Sequence, residues 1–265
     1  MEKTNIEWAD STWNPVTGCY HGCKYCYARS IAGRFGDFLT IDGNTIKGIA
    51  GPDGQTCIEV ECKTTNPYPE KFTPTLHKYR LRDYEGKKGR NIFVCSMADL
   101  FGEWVPDEWI NQVLTACKYF SQHNYLFLTK NPGRYKRIKS LPQKENFWFG
   151  TTVTNNYDWQ TNAFLLYKAL PHHYTFLSIE PILEAVYIDE HIKYFDWVII
   201  GAETGRHAGK VFPDWQWIKY IVIQCKKYNV PVFMKNSLAE VWNEPLIQEF
   251  PKPLKHERKQ KHEKV

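Results

Sequence analysis

Six short apolar runs recur along the chain after residue 90. Each holds four or five apolar or β-branched residues and is followed at once by polar ones. Unbroken hydrophobicity of this length is typical of a strand that is covered on both faces, as in a parallel sheet. The runs lie at 91–99, 125–131, 147–155, 175–181, 197–203 and 230–236.

Helical patterns lie between these runs. Segments 106–124, 158–170 and 213–229 place apolar residues three and four positions apart, which gives each one apolar stripe. Pro106, Asp107 and Glu108 form a good helix start. The alternation predicts an α/β fold with parallel strands, a partial (β/α)6-type TIM-like barrel.

Two segments depart from this alternation. Residues 36–75 contain the turn signals "DGN" and "GPDG" between β-like pieces, which predicts a small β-hairpin insertion. Residues 252–265 hold six Lys/Arg and two Glu, and so carry four of the five net positive charges. We therefore expect one barrel domain over residues 1–250 and a basic, disordered tail over 251–265, which could also contact polyanions.

Composition and cysteine usage narrow the class of protein. Hydrophobic residues make up 43% of the chain, which is enough for a substantial core. No apolar run is long enough to cross a bilayer and the first residues lack a secretion signal, so we expect a soluble cytoplasmic protein. Eight cysteines in such a chain indicate metal binding or catalysis rather than a disulfide scaffold.

Polar residues follow each predicted strand, and in α/β sheets ligands bind at the carboxyl ends of strands. Capping of the next helix is the competing interpretation for each Ser, Thr or Asn. The catalytic candidates are Glu180, Glu203 and Lys130. The two glutamates are favoured because a carboxylate at a barrel mouth is costly to desolvate without a partner. The residues at the carboxyl ends of the predicted strands are Ser96, Asp99, Thr129, Lys130, Thr151, Thr152, Asn155, Ser178, Glu180, Gly201, Glu203, Lys235 and Asn236.

Three thiols share one loop in "GCYHGCKYCYA", at Cys19, Cys23 and Cys26. Thiolates bind soft metals, and two kinds of metal site are possible for this loop. Structural zinc requires a fourth protein ligand from elsewhere, and we interpret His21 as a loop residue rather than that ligand. An iron–sulfur cube held by only three cysteines leaves one iron open to an exogenous ligand.

The C-x3-C-x2-C spacing with Tyr25 before the last cysteine resembles the signature loop of the radical S-adenosylmethionine (radical SAM) enzymes. The segments "NIEW", "STWNPVTGC", "SMADLF", "LTKNP", "SIEP" and "WVIIGAE" extend this resemblance to an uncharacterised family of phage and bacterial radical-SAM-like proteins with three cysteines. That family often has a longer gap between its first two cysteines and lacks the 36–66 insertion. Segment 13–18 stands in the place of the first barrel strand.

The resemblance implies a [4Fe-4S] cluster on the three loop cysteines, with S-adenosylmethionine on the open iron. Reductive cleavage would give a 5′-deoxyadenosyl radical that abstracts hydrogen from the substrate. By position, the implied cofactor contacts are Tyr25, Ser96, Asp99, Thr152, Asn155, Ser178 and Glu180.

The resemblance also bears on partners. It implies a flavodoxin- or ferredoxin-like electron donor. A phage-associated family suggests a nucleic-acid base or nucleotide as substrate, and the basic tail and the many aromatic residues are compatible with one. A small-molecule or peptide substrate stays open. The alternative is a non-catalytic protein that binds zinc or an iron–sulfur cluster together with nucleic acid or a protein partner. Among the other cysteines, Cys117 and Cys225 are expected in the core, Cys95 in a buried strand, and Cys57 and Cys62 on opposite strand faces.

Overall fold

The computed structural model describes residues 4–35, 45–64, 66–139, 141–143, 145–204 and 211–255. Each of the six apolar runs contains a strand, so those predictions are confirmed. The strands in chain order are β1 (Ser11–Trp13), β2 (Val16–Thr17), β3 (Ile46–Ala50), β4 (Thr56–Val60), β5 (Thr75–His77), β6 (Asn91–Val94), β7 (Asn124–Thr129), β8 (Phe147–Thr152), β9 (Tyr174–Ile179), β10 (Trp197–Ile200) and β11 (Val232–Met234).

Seven strands form one parallel sheet in the order β1-β6-β7-β8-β9-β10-β11. The sheet curls into a half-barrel with helices on its outside, which confirms the predicted partial TIM-like α/β fold. The first strand of the sheet lies earlier in the chain than the predicted segment 13–18. Strand β1 ends at Trp13, and Val16–Thr17 pairs instead with β5 in a second sheet.

Helices join most of the parallel strands. They are α1 (Tyr27–Ala32), α2 (Asp107–Tyr119), α3 (Asn156–Asp158), α4 (Phe164–Ala169) and α5 (Trp215–Lys227), with a π-helical turn over Trp159–Ala163 between α3 and α4. Two crossovers use short 3-10 helices instead, Pro132–Arg137 before β8 and Glu190–Tyr194 before β10. The three predicted helical segments therefore correspond to α2, α3 through α4, and α5.

The sheet has a core on each face. The outer core lies under the helices and includes Cys117 and Cys225, which are fully buried as expected, and Cys95, which directly follows β6. The inner core fills the half-barrel with aromatic side chains. Trp8 enters it from the N-terminal segment, with its ring centroid 4.7 Å from that of Phe93.

The predicted hairpin insertion is present and is part of a larger unit. Strands β3 and β4 pair antiparallel around a turn in which Gly51 N donates to the Gln55 carbonyl at 2.8 Å. Strand β5 then pairs parallel with β4 and antiparallel with β2, giving a four-stranded sheet. The "DGN" turn lies outside the described residues. Cys57 is buried within β4, whereas Cys62 follows the strand and is exposed.

The chain beyond residue 250 begins by packing against the barrel. Leu254 is buried in the inner core, and its carbonyl accepts a hydrogen bond from Asn91 Nδ2 at 2.9 Å. Asn124 Nδ2 donates to the Pro253 carbonyl at 3.1 Å, so this segment covers the amino ends of β6 and β7. Residues 256–265 of the predicted tail lie outside the described residues. Within the described ranges, no helix combines the length and apolar character that crossing a membrane requires.

Candidate functional site

A cavity of about 230 Å³ opens at the carboxyl ends of the parallel strands, where the three-cysteine loop meets the sheet. Eleven of the twelve predicted site residues line it, which places residues far apart in sequence around one space. They are Cys19, Cys23, Tyr25, Cys26, Ser96, Asp99, Lys130, Thr152, Ser178, Glu180 and Glu203.

The cysteine loop is fixed at both ends by hydrogen bonds. Cys19 N donates to the Phe72 carbonyl at 3.0 Å. At the other end, Cys26 caps α1, and its Sγ accepts a hydrogen bond from Arg29 N at 3.4 Å. The Arg29 guanidinium donates a hydrogen bond to the Cys19 carbonyl at 2.9 Å. The loop thus places all three cysteines in the cavity lining, and their thiols are not in disulfides.

The Cys19 thiol suits a positively charged partner. Burial, reinforced by the nearby Asp99 carboxylate, raises the pKa of Cys19 to about 12. Its thiolate would therefore need a metal for stabilisation at neutral pH. Within the described ranges, no three His, Cys, Asp or Glu side chains converge closely enough to hold a single metal ion. In a four-iron cube each thiolate binds its own iron, so such convergence on one point is not required.

Asp99 anchors the loop to the sheet. Its Oδ2 accepts hydrogen bonds from His21 Nε2 at 2.7 Å and from Lys130 N at 2.9 Å, while its Oδ1 accepts from Phe101 N at 3.0 Å. Burial alone would raise the pKa of Asp99, but the hydrogen bonds from His21 and the backbone lower it overall. Through this hydrogen bond, His21 ties the loop to the ends of β6 and β7.

Two further contacts order the cavity wall beside the loop. Lys130 Nζ donates to the Tyr25 hydroxyl at 2.9 Å, which holds this aromatic ring against the end of β7. Asn14 Oδ1 accepts hydrogen bonds from Ser96 Oγ at 3.1 Å and from Met97 N at 3.0 Å. The loop after β6 thus takes its shape from a side chain next to β1.

The opposite wall carries the two glutamates. Lys235 forms an ion pair with Glu180. The two side chains cross over Gly201, where an added Cβ would lie 3.0 Å from Lys235 Cδ and 3.3 Å from Glu180 Cδ. Glu203 differs from Glu180, because its Oε2 is buried without a hydrogen-bond partner among the described residues. Such an oxygen is costly to bury and is a ready acceptor for a ligand.

The remaining predicted residues divide into two groups. Thr152 and Ser178 are register partners on β8 and β9, and both are buried at the cavity. Asn155 is absent from the described lining. Its Oδ1 accepts from Asp158 N at 2.8 Å, so its side chain serves as the N-cap of α3, the competing interpretation given for such residues.

Sequence reasoning missed Asn14 and Trp8 as parts of the site. Both lie in segments that carry the family resemblance, "STWNPVTGC" and "NIEW". That resemblance was the available signal, since neither residue ends a predicted strand. Trp8 lines the cavity from the inner core, and Asn14 acts through the loop after β6.

The fold has a relative among solved structures. Spore photoproduct lyase complexed with dinucleoside spore photoproduct superposes with a TM-score of 0.53 at 10% sequence identity, covering 88% of this chain and 78% of that one. The FimX EAL domain from Pseudomonas aeruginosa bound to c-di-GMP aligns over 82% of this chain and 89% of its own, at 10% identity and a TM-score of 0.31, which is too low to carry an argument. No curated protein matches the sequence.

The two kinds of comparison support different conclusions, one about the fold and one about the family. The structural similarity shows the fold alone, because the two chains are only 10% identical. The narrower resemblance to three-cysteine phage and bacterial proteins stays a prediction. A family described as "Protein of unknown function (DUF5131)" matches residues 3–262, and the chain therefore belongs to that family.

Proposed function

We propose that this protein is a radical SAM enzyme that acts on a nucleic-acid base or nucleotide. The observation that carries the proposal is the meeting of Cys19, Cys23 and Cys26 at one cavity on the carboxyl-terminal mouth of a half-barrel. Ligands bind at this end of α/β barrels. Spore photoproduct lyase, a radical SAM enzyme, has a similar fold, and this likeness supports the same assignment.

The residues present fit the proposed cofactors. Three free thiols are the donor set of a [4Fe-4S] cluster with one open iron. Beside them, Tyr25 is held by Lys130 and offers an aromatic surface for an adenine ring. When bound, the cluster and S-adenosylmethionine would supply one-electron cleavage of a carbon–sulfur bond and hydrogen abstraction, with the electron from a flavodoxin- or ferredoxin-like donor.

The protein's own contribution is orientation and exclusion of water. Asp99 and His21 hold the cysteine loop against the sheet, so the cluster would sit at a fixed distance from the opposite wall. Trp8 and Phe93 pack against each other in the cavity lining, where they present apolar surface rather than polar groups. Glu180, restrained by Lys235, and Thr152 and Ser178 offer oxygen atoms to the groups of a bound ligand.

A nucleic-acid substrate is supported by two observations. Spore photoproduct lyase, with the similar fold, is complexed with a dinucleoside. The chain also has a net charge of +5, concentrated at residues 252–265, and positive charge favours association with phosphate backbones.

The test is the reaction with S-adenosylmethionine itself. Protein purified without oxygen should be brown, contain about four irons and four sulfides per chain, and form 5′-deoxyadenosine when S-adenosylmethionine and dithionite are added. Colourless protein with one equivalent of zinc would contradict the proposal and favour the non-catalytic alternative.

A further inference from the structure

We infer that Glu203 selects the substrate by accepting a hydrogen bond from the exocyclic amino group of a nucleobase. This inference rests on the proposed function for the class of substrate. It adds which bases the cavity accepts, namely those that carry an amino group, and it names the residue that distinguishes them from uracil and thymine.

The other charged groups around the cavity are paired with neighbouring groups of the protein. Asp99 is bound by His21, Glu180 by Lys235, and Lys130 donates to the hydroxyl of Tyr25. These carboxylates therefore have partners within the protein, so they are less available to a ligand.

Glu203 stands apart from these groups. It lines the same cavity, at the end of β10, and its Oε2 is buried with no hydrogen-bond partner in the part of the chain that the structure describes. A buried acceptor in this state raises the free energy of the empty protein, and a donor on a bound molecule relieves that cost. The ligand should therefore present an N–H or O–H group to this wall.

The rest of the cavity favours a flat heteroaromatic ring as the carrier of that donor. Ile6, Trp8, Phe93 and Leu128 line it as apolar or aromatic surfaces. Enzymes that act on an extruded base hold it between aromatic or apolar side chains and read its edge by hydrogen bonds. A cavity with apolar surfaces and one unpaired acceptor has the composition of such a site.

The bases differ in whether they present a hydrogen-bond donor to this carboxylate. Cytosine and adenine present an exocyclic amino group, the donor that Glu and Asp accept in base recognition. Uracil and thymine carry a carbonyl oxygen at the same position, which a carboxylate would repel, and their ring N–H lies between two such oxygens. Cytosine and uracil are nearly equal in shape, so a preference between them reports this hydrogen bond.

The experiment measures binding of two fluorescein-labelled strands, TTCTT and TTUTT, by fluorescence anisotropy at one salt concentration. The full chain is used as isolated without oxygen, with saturating S-adenosylmethionine and no reductant. We expect about tenfold tighter binding of TTCTT, the discrimination of one good base contact. Glu203→Gln supplies an amide N–H, so the preference should vanish or reverse. The exposed Glu190→Gln, the same chemical change far from the cavity, should keep it.

The other outcomes separate failure of this inference from failure of the proposed function. Equal binding of the two strands by the unmodified protein overturns the inference, and so does an unchanged preference in Glu203→Gln. If Glu203→Gln weakens S-adenosylmethionine binding but leaves the preference intact, Glu203 serves the cofactor and the inference is wrong. Failure of the proposed function is recognised separately, as protein that prefers TTCTT yet contains no iron and forms no 5′-deoxyadenosine.

Discussion

Gly18, directly before the first loop cysteine, gives the sharpest test of how the fold positions the cysteine loop. Its φ is +85°, a left-handed conformation that costs other residues about 1–2 kcal/mol. A Cβ at this position would also lie 2.7 Å from the Phe72 carbonyl oxygen, and closer still to that of Thr73. Both obstacles are backbone atoms, which cannot rotate away.

The predicted cost of Gly18→Ala follows from these two terms. Overpacking of a rigid site adds about 1–3 kcal/mol to the conformational cost, for a total of about 2–5 kcal/mol. Gly22 in the same loop is the matched control, since its φ is +70° but an added Cβ would meet nothing within 4 Å. Gly22→Ala should therefore cost only about 1–2 kcal/mol.

Chemical denaturation of the two variants measures these free energies, and iron analysis reports the loop. We expect Gly18→Ala to be less stable than Gly22→Ala by about 1–3 kcal/mol. It should also retain less iron, because the backbone shift displaces Cys19. Equal stabilities, or full iron content in Gly18→Ala, would refute the claim that the backbone around Gly18 sets the position of Cys19.

Three further predictions concern the cluster, the cavity wall and the barrel edge. Replacing any one loop cysteine by alanine should abolish iron binding, whereas Cys117→Ala should leave the iron content unchanged. Lys235→Met leaves Glu180 without its cation and should lower the free energy of unfolding by about 1–3 kcal/mol in urea denaturation. Burial raises the pKa of Asp196, so its charged form disfavours folding at neutral pH. Asp196→Asn should therefore raise Tm by about 1–3 °C at pH 7, and this gain should shrink as the pH falls through the raised pKa. Retained iron in a cysteine variant, unchanged unfolding of Lys235→Met, or a pH-independent Tm gain would each contradict the corresponding argument.

The regular part of the fold could be predicted because its signals are local. Continuous apolar runs identify β6 to β11, and the stripe through Trp109, Ile110 and Val113 identifies α2. The short strands β1 and β2 gave no comparable signal. They have three and two residues, and their partners β6 and β5 lie about 60 to 80 positions away.

The site was predictable as a set of strand ends but not as a set of contacts. Asp99 was expected to contact the cofactor, and that role stays a prediction. The structure adds that the carboxylate already accepts three hydrogen bonds, from His21, Phe101 and Lys130. Partners 31 and 78 positions away cannot be identified from local spacing. Asn155 shows the same limit, since a strand-end residue can equally cap the next helix.

Electron paramagnetic resonance of the dithionite-reduced protein, with and without S-adenosylmethionine, shows whether the three cysteines hold a cluster with an open iron. A cube held by Cys19, Cys23 and Cys26 keeps one iron for an external ligand, so its signal should change when S-adenosylmethionine binds. A spectrum that is identical with and without S-adenosylmethionine, or a protein that has no iron signal and contains zinc, would contradict the proposed cluster with its open iron.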